Sequence, residues 1–402
     1  MRIPSEPDIK QLTHLSPSLY EAVRVCKARA AWIAFGERDR LPQHPRALLG
    51  TCVHGVIEDA HHGRLASGDE ESRRALAREA FDRKAKELHD AAHPLMRAKF
   101  PAPELIPYYY LFRERAVALA LAMSSETDTE RRAAAPSGTG SETSATASSV
   151  LIETTLKSRD GLLVGRPDYV DPAVGEVVDY KTGVGPDDDP HGLRDSEVRQ
   201  LRLYVHLGRE RGLDLRRGTI IRVDGRRAGL EIPEDEAAAE GKQAREMLGA
   251  FNARAAGGFK QLAAPSAEAC RYCPCIPFCE PFWESAVPAW AEQCGTHLEG
   301  TVTTVNQAVA QNTRLVTLEL AAARGTVGPG AAVVQQLPEK WICVGGGSVP
   351  KVGDVVRVVN GRLADTASET ALIRPDRLTT AVWIVRTASI APTDPEDRGG
   401  DG

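Results

Sequence analysis

The segment from Gly165 to Gly183 restricts the possible folds of this chain more than any other stretch. Its alternating apolar residues predict two β-strands, over 162–170 and 176–181, and the Asp-Pro-Ala-Val-Gly sequence between them predicts a hairpin. A hairpin pairs its strands side by side, so polar side chains from both strands meet on a small area of a sheet. The chain is therefore expected to build a sheet around this segment.

The predicted hairpin brings three charged side chains together. Asp168 on the first strand comes close to Asp179 and Lys181 on the second. Asp179 and Lys181 are two residues apart, so they share one face of the sheet, whereas Tyr180 lies on the other face. Adjacent carboxylates raise each other's pKa, and a hard cation such as Mg²⁺ removes that cost. By itself, the Asp-x-Lys spacing is more typical of a surface ion pair.

Two predicted helices add polar pairs on either side of the hairpin. His54 and Glu58 upstream, and Gln200 and Tyr204 downstream, are each four residues apart, so each pair lies on one helix face. The motif order is Gly-x3-His, Gly-x2-Asp, Asp-x-Lys and Gln-x3-Tyr. This order resembles the RecB-like branch of the PD-(D/E)XK nuclease superfamily.

The resemblance implies a binding site for one Mg²⁺ or Mn²⁺ ion. It implies that His54, Asp168 and Asp179 bind the metal and that the carbonyl of Tyr180 adds a ligand. It assigns Lys181 to the water that attacks the phosphorus atom. The expected catalytic residues are His54, Asp168, Asp179 and Lys181.

The resemblance also implies an activity and a partner. It assigns Gln200 and Tyr204 to positioning of the DNA strand, whereas Glu58 is explained equally well as a helix-face glutamate paired with an Arg or Lys. The implied activity is metal-dependent DNA cleavage, expected to be exonucleolytic, on single-stranded DNA or DNA ends. The processes implied are DNA repair and recombination, CRISPR adaptation or phage defence, beside a helicase or a protein of CRISPR adaptation or defence.

Two other functions remain open from the sequence. One is a non-catalytic DNA-end-binding scaffold subunit of a helicase-nuclease or defence complex, and the other is a nuclease that acts on RNA. The chain has no Gly-x4-Gly-Lys-Ser/Thr loop, so it is not expected to be a helicase itself.

Near the N-terminus, apolar residues at helical spacing predict one helix that continues to about Ile33. Ser16 is its expected N-cap and Pro17 its first helical residue. Cys26 then lies on the apolar stripe of this helix, where a cysteine is most simply a small core residue.

A cysteine cluster follows the predicted nuclease core. Cys270, Cys273 and Cys279 form a Cys-x2-Cys-x5-Cys motif, and the fourth ligand of a zinc or iron-sulfur site could be Cys275 or Cys26. The arrangement resembles the RecB-type exonucleases of CRISPR adaptation and the AddB nuclease domain. That resemblance implies a structural [4Fe-4S] cluster on Cys26, Cys270, Cys273 and Cys279, with zinc as the alternative.

The C-terminal part of the chain has a β-rich pattern. About five short strands predict a small OB-like barrel, which would suit single-stranded nucleic acid, although a structural or protein-contact role explains the pattern equally well. The expected strands are 297–305, 314–320, 332–337 with 341–344, 354–363 and 381–386.

The fold class expected is α/β, a restriction-endonuclease-like core with a mixed sheet flanked by helices, followed by the all-β barrel. The predicted domains are a nuclease domain over 1–290 with a flexible insertion at 133–149, the barrel over 296–387 and a disordered tail over 388–402. The net charge of −5 provides no overall basic surface for nucleic acid. No apolar run predicts a signal peptide or a membrane span, so a cytoplasmic protein is expected.

Overall fold

The computed structural model describes residues 1, 3–133, 150–183, 192–342, 347–365 and 370–387. The chain divides into two compact units. The larger unit contains Glu6–Ala264, and the smaller unit contains Met1–Ser5 together with the residues from Pro265 onward. The predicted domain boundary at residue 290 stays a prediction.

The larger unit combines helices with a mixed sheet. Its helices are α1 (Pro17–Val25), α2 (Lys27–Phe35), α3 (Pro45–His61), α4 (Glu70–Asp90), α5 (Pro94–Lys99), α6 (Tyr109–Ala133), α7 (Asp195–Glu210), α8 (Glu234–Ala255) and α9 (Gly258–Leu262). Its strands are β1 (Leu151–Ile152), β2 (Leu156–Lys157), β3 (Val164–Gly165), β4 (Tyr169–Asp171), β5 (Glu176–Lys181), β6 (Arg217–Arg222) and β7 (Arg227–Glu231).

The sheet that carries the central motif has the strand order β1-β4-β5-β6-β7. Only β5 and β6 pair in parallel in this order, and α7 connects them, as a crossover between parallel strands requires. Buried side chains of α7, such as Leu201 and Val205, belong to one core with Val177 of β5 and Ile220 of β6. This packing fixes α7 against the face of β5 from which Asp179 projects.

The predicted strand over 162–170 is wrong as one element. β3 pairs with β2 in a separate two-stranded sheet, and β4 pairs with β5. The break includes Pro167, which has no N–H to donate to a ladder and therefore interrupts a strand. Asp168 consequently lies in an irregular segment immediately before β4.

The single N-terminal helix is also wrong. Ser16 caps α1 as predicted by accepting a hydrogen bond from the N–H of Leu19, but the helix ends at Val25. Cys26 has an extended backbone, with φ −161° and ψ 119°, and α2 begins after it. Cys26 is therefore half-buried at a junction between helices rather than on a continuous apolar stripe.

The smaller unit consists of short helices and a strongly paired set of strands. Its helices are α10 (Ala267–Cys270), α11 (Glu280–Ser285), α12 (Ala291–Cys294) and α13 (Glu339–Ile342). Its strands are β8 (Thr296–Ala310), β9 (Thr313–Gly325), β10 (Gly330–Pro338), β11 (Val355–Asp365), β12 (Thr370–Arg374) and β13 (Ala381–Arg386). The predicted strand at 341–344 is wrong for residues 341–342, which end α13, and 343–344 lie outside the described residues.

Five described strands of the smaller unit pair in a closed cycle. β8 pairs with β9, β9 with β10, β10 with β12, β12 with β11, and β11 with β8. The β10–β12 pair is parallel and the others are antiparallel. β13 adds to β11 outside this cycle, and β12 was absent from the sequence prediction. Leu298, Leu318 and Val356 lie in the buried core of these strands.

Some predictions concern residues that the structure does not describe. They are the flexible insertion, apart from residue 133, and the disordered tail from residue 388. Among the described helices, none combines the length and the apolar character that crossing a membrane requires.

Candidate active site

Asp179 is the most buried charged group at the centre of the predicted site. It lies on β5 with 4% of its surface exposed. Nζ of Lys181 lies 2.7 Å from its Oδ2, and Nε2 of Gln200 donates to its Oδ1 over 2.8 Å. The strand thus holds Asp179 and Lys181 on one face, as predicted, and α7 supplies an amide to the same carboxylate.

Asp168 is held beside this pair by the backbone of β5. The N–H of Tyr180 donates to Oδ2 of Asp168 over 2.7 Å. On the other side, Nδ1 of His54 on α3 lies 3.5 Å from Oδ1 of Asp168. Because Asp168 lies in the irregular segment before β4, its side chain can accept from a backbone N–H of the neighbouring strand.

Tyr204 connects α7 to the segment that precedes Asp168. Its hydroxyl accepts from Nε2 of Gln200 over 3.1 Å and donates to the carbonyl of Arg166 over 3.3 Å. A Cβ at Gly165 would lie 2.9 Å from the Tyr204 ring, so the close approach requires glycine at this position. The structure therefore brings Gln200 and Tyr204 to the predicted site.

The charges at the site shift the pKa values of its members. Burial raises the pKa of Asp179 to about 6, with Asp168 adding to the rise and with Lys181 and His54 opposing it. Burial lowers the pKa of His54, but the contact with Asp168 and the charge of Asp179 outweigh burial, so the net shift is upward. The two pairs, Asp168 with His54 and Asp179 with Lys181, thus compensate charge within the site.

Glu153 is an acidic residue near the site that the sequence analysis missed. Its N–H donates to the carbonyl of Asp168 over 3.0 Å, and its carboxylate forms an ion pair with Arg166. Burial raises the pKa of Glu153; Arg166 opposes the rise, and the charges of Glu58 and Asp168 add to it. No local sequence pattern assigns Glu153 to the site, because its approach to Asp168 depends on the pairing of β1 with β4.

The remaining predicted residues have ordinary partners. Glu58 lies 3.8 Å from Nη2 of Arg64, as expected for a glutamate on a helix face. The Tyr180 hydroxyl lies 3.3 Å from Nε2 of His61, on the opposite side of the sheet from Asp179. Burial lowers the pKa of His61 to about 4, so this ring is neutral near pH 7.

The donor set suits a hard divalent cation in its chemistry. Two carboxylates, an imidazole and a backbone carbonyl are ligands that Mg²⁺ or Mn²⁺ accepts. Oδ2 of Asp179 is buried and accepts no aligned hydrogen bond from any described residue, despite its 2.7 Å ion pair with Lys181. However, within the described residues no group of three or more His, Cys, Asp and Glu is arranged to hold a metal ion.

The cysteine cluster is the second predicted metal site. Cys270, Cys273, Cys275 and Cys279 belong to the smaller unit, in a segment where the N–H of Cys279 donates to the carbonyl of Cys275 over 2.9 Å. Cys26 belongs to the larger unit. The thiol chemistry suits zinc or an iron-sulfur cluster, but the described residues contain no assembled site. The cluster and its ligands stay predictions.

Comparison with protein families agrees with the nuclease motifs. A family model described as the PD-(D/E)XK nuclease superfamily matches residues 14–280. No curated protein matches the chain significantly. A solved structure titled "Crystal structure of SSO0001" is similar over 43% of this chain and 78% of its own, with 15% sequence identity and a TM-score of 0.23.

Proposed function

This chain belongs to the PD-(D/E)XK nuclease superfamily, and we propose that it is a metal-dependent deoxyribonuclease that hydrolyses phosphodiester bonds at the site around β5. The observation that carries the proposal is the convergence of Asp168, Asp179 and Lys181 with His54 and Gln200. An ordinary surface ion pair does not explain a nearly fully buried aspartate that receives a lysine and an amide.

In the proposed reaction, each residue has a distinct task. A Mg²⁺ or Mn²⁺ ion held by Asp168, Asp179, His54 and the carbonyl of Tyr180 would supply a Lewis acid and an activated water. The Tyr180 N–H holds the Asp168 carboxylate in place. Lys181 orients the attacking water and stabilises negative charge that grows on the phosphate in the transition state. The products are a 5′-phosphate and a 3′-hydroxyl.

Gln200 and Tyr204 hold other parts of the site in position through hydrogen bonds. Gln200 donates to Oδ1 of Asp179 and to the hydroxyl of Tyr204, so it fixes the orientation of the carboxylate whose Oδ2 faces Lys181. We propose that both side chains also position the DNA strand. The substrates that we propose are single-stranded DNA or DNA ends, which the protein would cut as an exonuclease. The processes that we propose are DNA repair and recombination, CRISPR adaptation or phage defence. The proposed partner is a helicase or a protein of CRISPR adaptation or defence.

A cleavage assay with matched variants tests the proposed activity. End-labelled single- and double-stranded DNA is incubated with the full chain and Mg²⁺ or Mn²⁺. Asp179→Asn is expected to abolish cleavage, whereas Asp171→Asn is expected to cleave normally. Asp171 is three residues from Asp168, but its side chain accepts from the N–H groups of Ala173 and Val174 in the hairpin turn. Wild-type protein that does not cleave, or equal cleavage by Asp179→Asn, contradicts the proposal and favours the scaffold role.

We also propose a structural [4Fe-4S] cluster on Cys26, Cys270, Cys273 and Cys279. The support is the spacing of the thiols and the suitability of thiolates as ligands. Protein purified without oxygen is expected to be brown and to contain about four iron atoms, and Cys26→Ser is expected to bleach while Cys275→Ser keeps the colour. A colourless protein with stoichiometric zinc contradicts this proposal.

For the smaller unit we propose an OB-like barrel with a structural or protein-contact role. The cycle of pairings and the position of α13 between β10 and β11 support a five-stranded closed barrel. In OB folds the second and third strands form the nucleic-acid face. Here the half-buried side chains that alternate with the core on β9 and β10 include Leu315, Thr317, Val333 and Gln335, which provide neither aromatic rings nor positive charge. This composition favours a role other than base stacking.

A further inference from the structure

A patch of exposed apolar side chains lies in the larger unit, next to the start of α6. Four large apolar residues within seven positions are substantially exposed: Leu105, Tyr108, Tyr110 and Leu111. Scattered single exposures of this kind are normal on a protein surface, but a local group of them marks a binding surface. The proposed nuclease reaction does not use any of these side chains.

Tyr108 has two properties that set it apart within this patch. Its backbone has φ 72°, a left-handed conformation that is costly for a large side chain, and 52% of its surface is exposed. The guanidinium of Arg46 lies over its ring, 4.7 Å from the centroid. The chain therefore maintains a strained backbone to present an aromatic ring with one face against a cation and the rest open to solvent.

Within the described part of the chain, the guanidinium of Arg46 makes no ion pair with a carboxylate. Tyr110 provides the contrast, because Arg113 lies 5.1 Å from its ring centroid but pairs with Asp82 at 3.1 Å and with Glu114 at 3.2 Å. Among the described residues of this patch, only the Tyr108–Arg46 pair combines an exposed ring with a positive charge that has no carboxylate partner.

One face of α3 connects this pair to the proposed active site. Arg46, Gly50 and His54 follow each other at intervals of four residues, so they lie along the same side of the helix. The eight residues from Arg46 to His54 correspond to about 12 Å along the axis. Gly50, between them, has no side chain and lies against Thr182, whose Oγ1 would be 2.9 Å from an added Cβ. Thr182, directly after β5, thus contacts α3 between Arg46 and His54.

We propose that Tyr108 and Arg46 form a stacking platform for a base of single-stranded nucleic acid whose backbone runs along α3 towards His54. This inference rests on the proposed nuclease function and narrows its substrate class. An unpaired base stacks on the open surface of the Tyr108 ring, and Arg46 contacts the adjacent phosphate. A base within a duplex is already stacked on its neighbours, so the platform favours single strands.

Direct binding measurements test the platform separately from catalysis. Fluorescence anisotropy of a labelled oligothymidylate is recorded with the full chain and without added divalent metal, so that no cleavage occurs. Tyr108→Asn removes the ring but tolerates the left-handed backbone, and we expect about tenfold weaker binding. Tyr108→Phe keeps the ring and is expected to bind like wild type, while Arg46→Gln is expected to bind several-fold more weakly and with a smaller dependence on salt.

The matched control is Tyr110→Asn, which removes an equally exposed ring whose arginine is already paired. It is expected to bind as wild type does, and a labelled blunt duplex is expected to bind Tyr108→Asn and wild type equally. Equal losses in Tyr108→Asn and Tyr110→Asn, or unchanged binding in Tyr108→Asn, overturn the inference and leave a protein-contact surface. Failure of the wild type to cleave DNA would instead overturn the proposed function, because the binding assay requires no catalysis.

Discussion

Lys181 lowers the pKa of the Asp179 carboxyl group, and a single substitution tests this effect. Burial raises the pKa of Asp179 to about 6, and Lys181 holds it below the value that burial and Asp168 alone would produce. We therefore expect Lys181→Met to raise this pKa further, so that more of the carboxyl is protonated at pH 7. Carbon-13 NMR titration of the metal-free protein measures the shift, and an unchanged or lower pKa would contradict the ion pair.

Gly50 provides a second residue-scale prediction. A Cβ at this position would lie 2.9 Å from Oγ1 of Thr182, the neighbour of Lys181, so the Thr182 side chain, α3 or the end of β5 must move. We expect Gly50→Ala to lower kcat/KM about tenfold, since small displacements of catalytic groups are costly. Adding Thr182→Ala removes the clash and should recover most of the activity.

The control for this prediction is Gly55→Ala in the same helix. A Cβ at Gly55 would make only an ordinary contact, 3.5 Å from Cγ of Lys84, so activity should not change. Its stability should be equal or higher by up to about 1 kcal/mol, because alanine favours a helix interior over glycine. Equal losses of activity in both alanine variants would show that the contact with Thr182 is not the cause.

At this scale the sequence was informative wherever a motif fixed the spacing. Asp179, Lys181, Gln200 and Tyr204 could be placed because strand and helix periods determine which side chains share a face. Glu153 could not, because its approach to Asp168 depends on which strand pairs with which. Pairing partners are set by long-range packing and leave little trace in local sequence.

Among the elements, His297 on β8 gives a prediction for pH. It is fully buried; its Nε2 lies 2.9 Å from the carbonyl of Cys294, and its Nδ1 accepts from the N–H of Asn360 over 3.3 Å. Burial lowers its pKa to about 4, so the unfolded chain binds the proton more tightly. The free energy of unfolding should therefore fall as pH drops from about 6.5 towards 4.

Between pH 7 and pH 5 this histidine should account for a loss of about 2 kcal/mol. Urea unfolding of wild type and of His297→Gln at both pH values measures the effect. We expect His297→Gln to have a lower free energy of unfolding than wild type at pH 7. Between pH 7 and pH 5, the free energy of unfolding of the variant should fall by about 2 kcal/mol less than that of wild type. An identical pH dependence in the two proteins would refute the assignment.

Arg357 on β11 joins the strands of the smaller unit to the cysteine segment. It is 1% exposed, donates to Oε2 of Glu299 over 2.6 Å and to the carbonyl of Pro277 over 2.8 Å, and pairs with Glu280. Arg357→Met leaves buried acceptors without their donor, so we expect a loss of about 3 kcal/mol in the free energy of unfolding. Hydrogen exchange should also increase at residues 277–283.

Arg324→Met is the matched control. Arg324 pairs with the same Glu299 carboxylate at 2.6 Å, but its side chain is 43% exposed, so solvent screens the pair. We expect a loss of about 1 kcal/mol or less and little change in exchange at 277–283. If both variants lose the same stability, burial of Arg357 is not what anchors the cysteine segment.

The sequence predicted the positions of helices and strands better than the breaks within them. Strands β5 and β13 were predicted with their observed bounds, because their apolar periods are regular. The break at Pro167 could have been expected from the missing N–H, but the break at Cys26 has no comparable local signal. At this break the packing partners change, because α1 contacts α7 and α8 whereas α2 contacts α9.

For the whole molecule, the sequence predicted an α/β core followed by a β-rich region. It could not predict that the contacts divide the chain at Ala264 and Pro265, because that division depends on the packing of the cysteine segment. It also missed β12, whose pairing closes the cycle of strands through a parallel contact with β10. Such pairings join residues far apart in sequence.

The central claim is that one cation is held by His54, Asp168 and Asp179 beside Lys181. The most direct measurement is the anomalous scattering of Mn²⁺ in crystals of the full chain soaked with the metal. We predict one strong peak about 2–2.4 Å from carboxylate oxygens of Asp168 and Asp179 and from a ring nitrogen of His54. A protein that cleaves DNA in Mn²⁺ but has its anomalous peak elsewhere, away from both aspartates, would contradict the account.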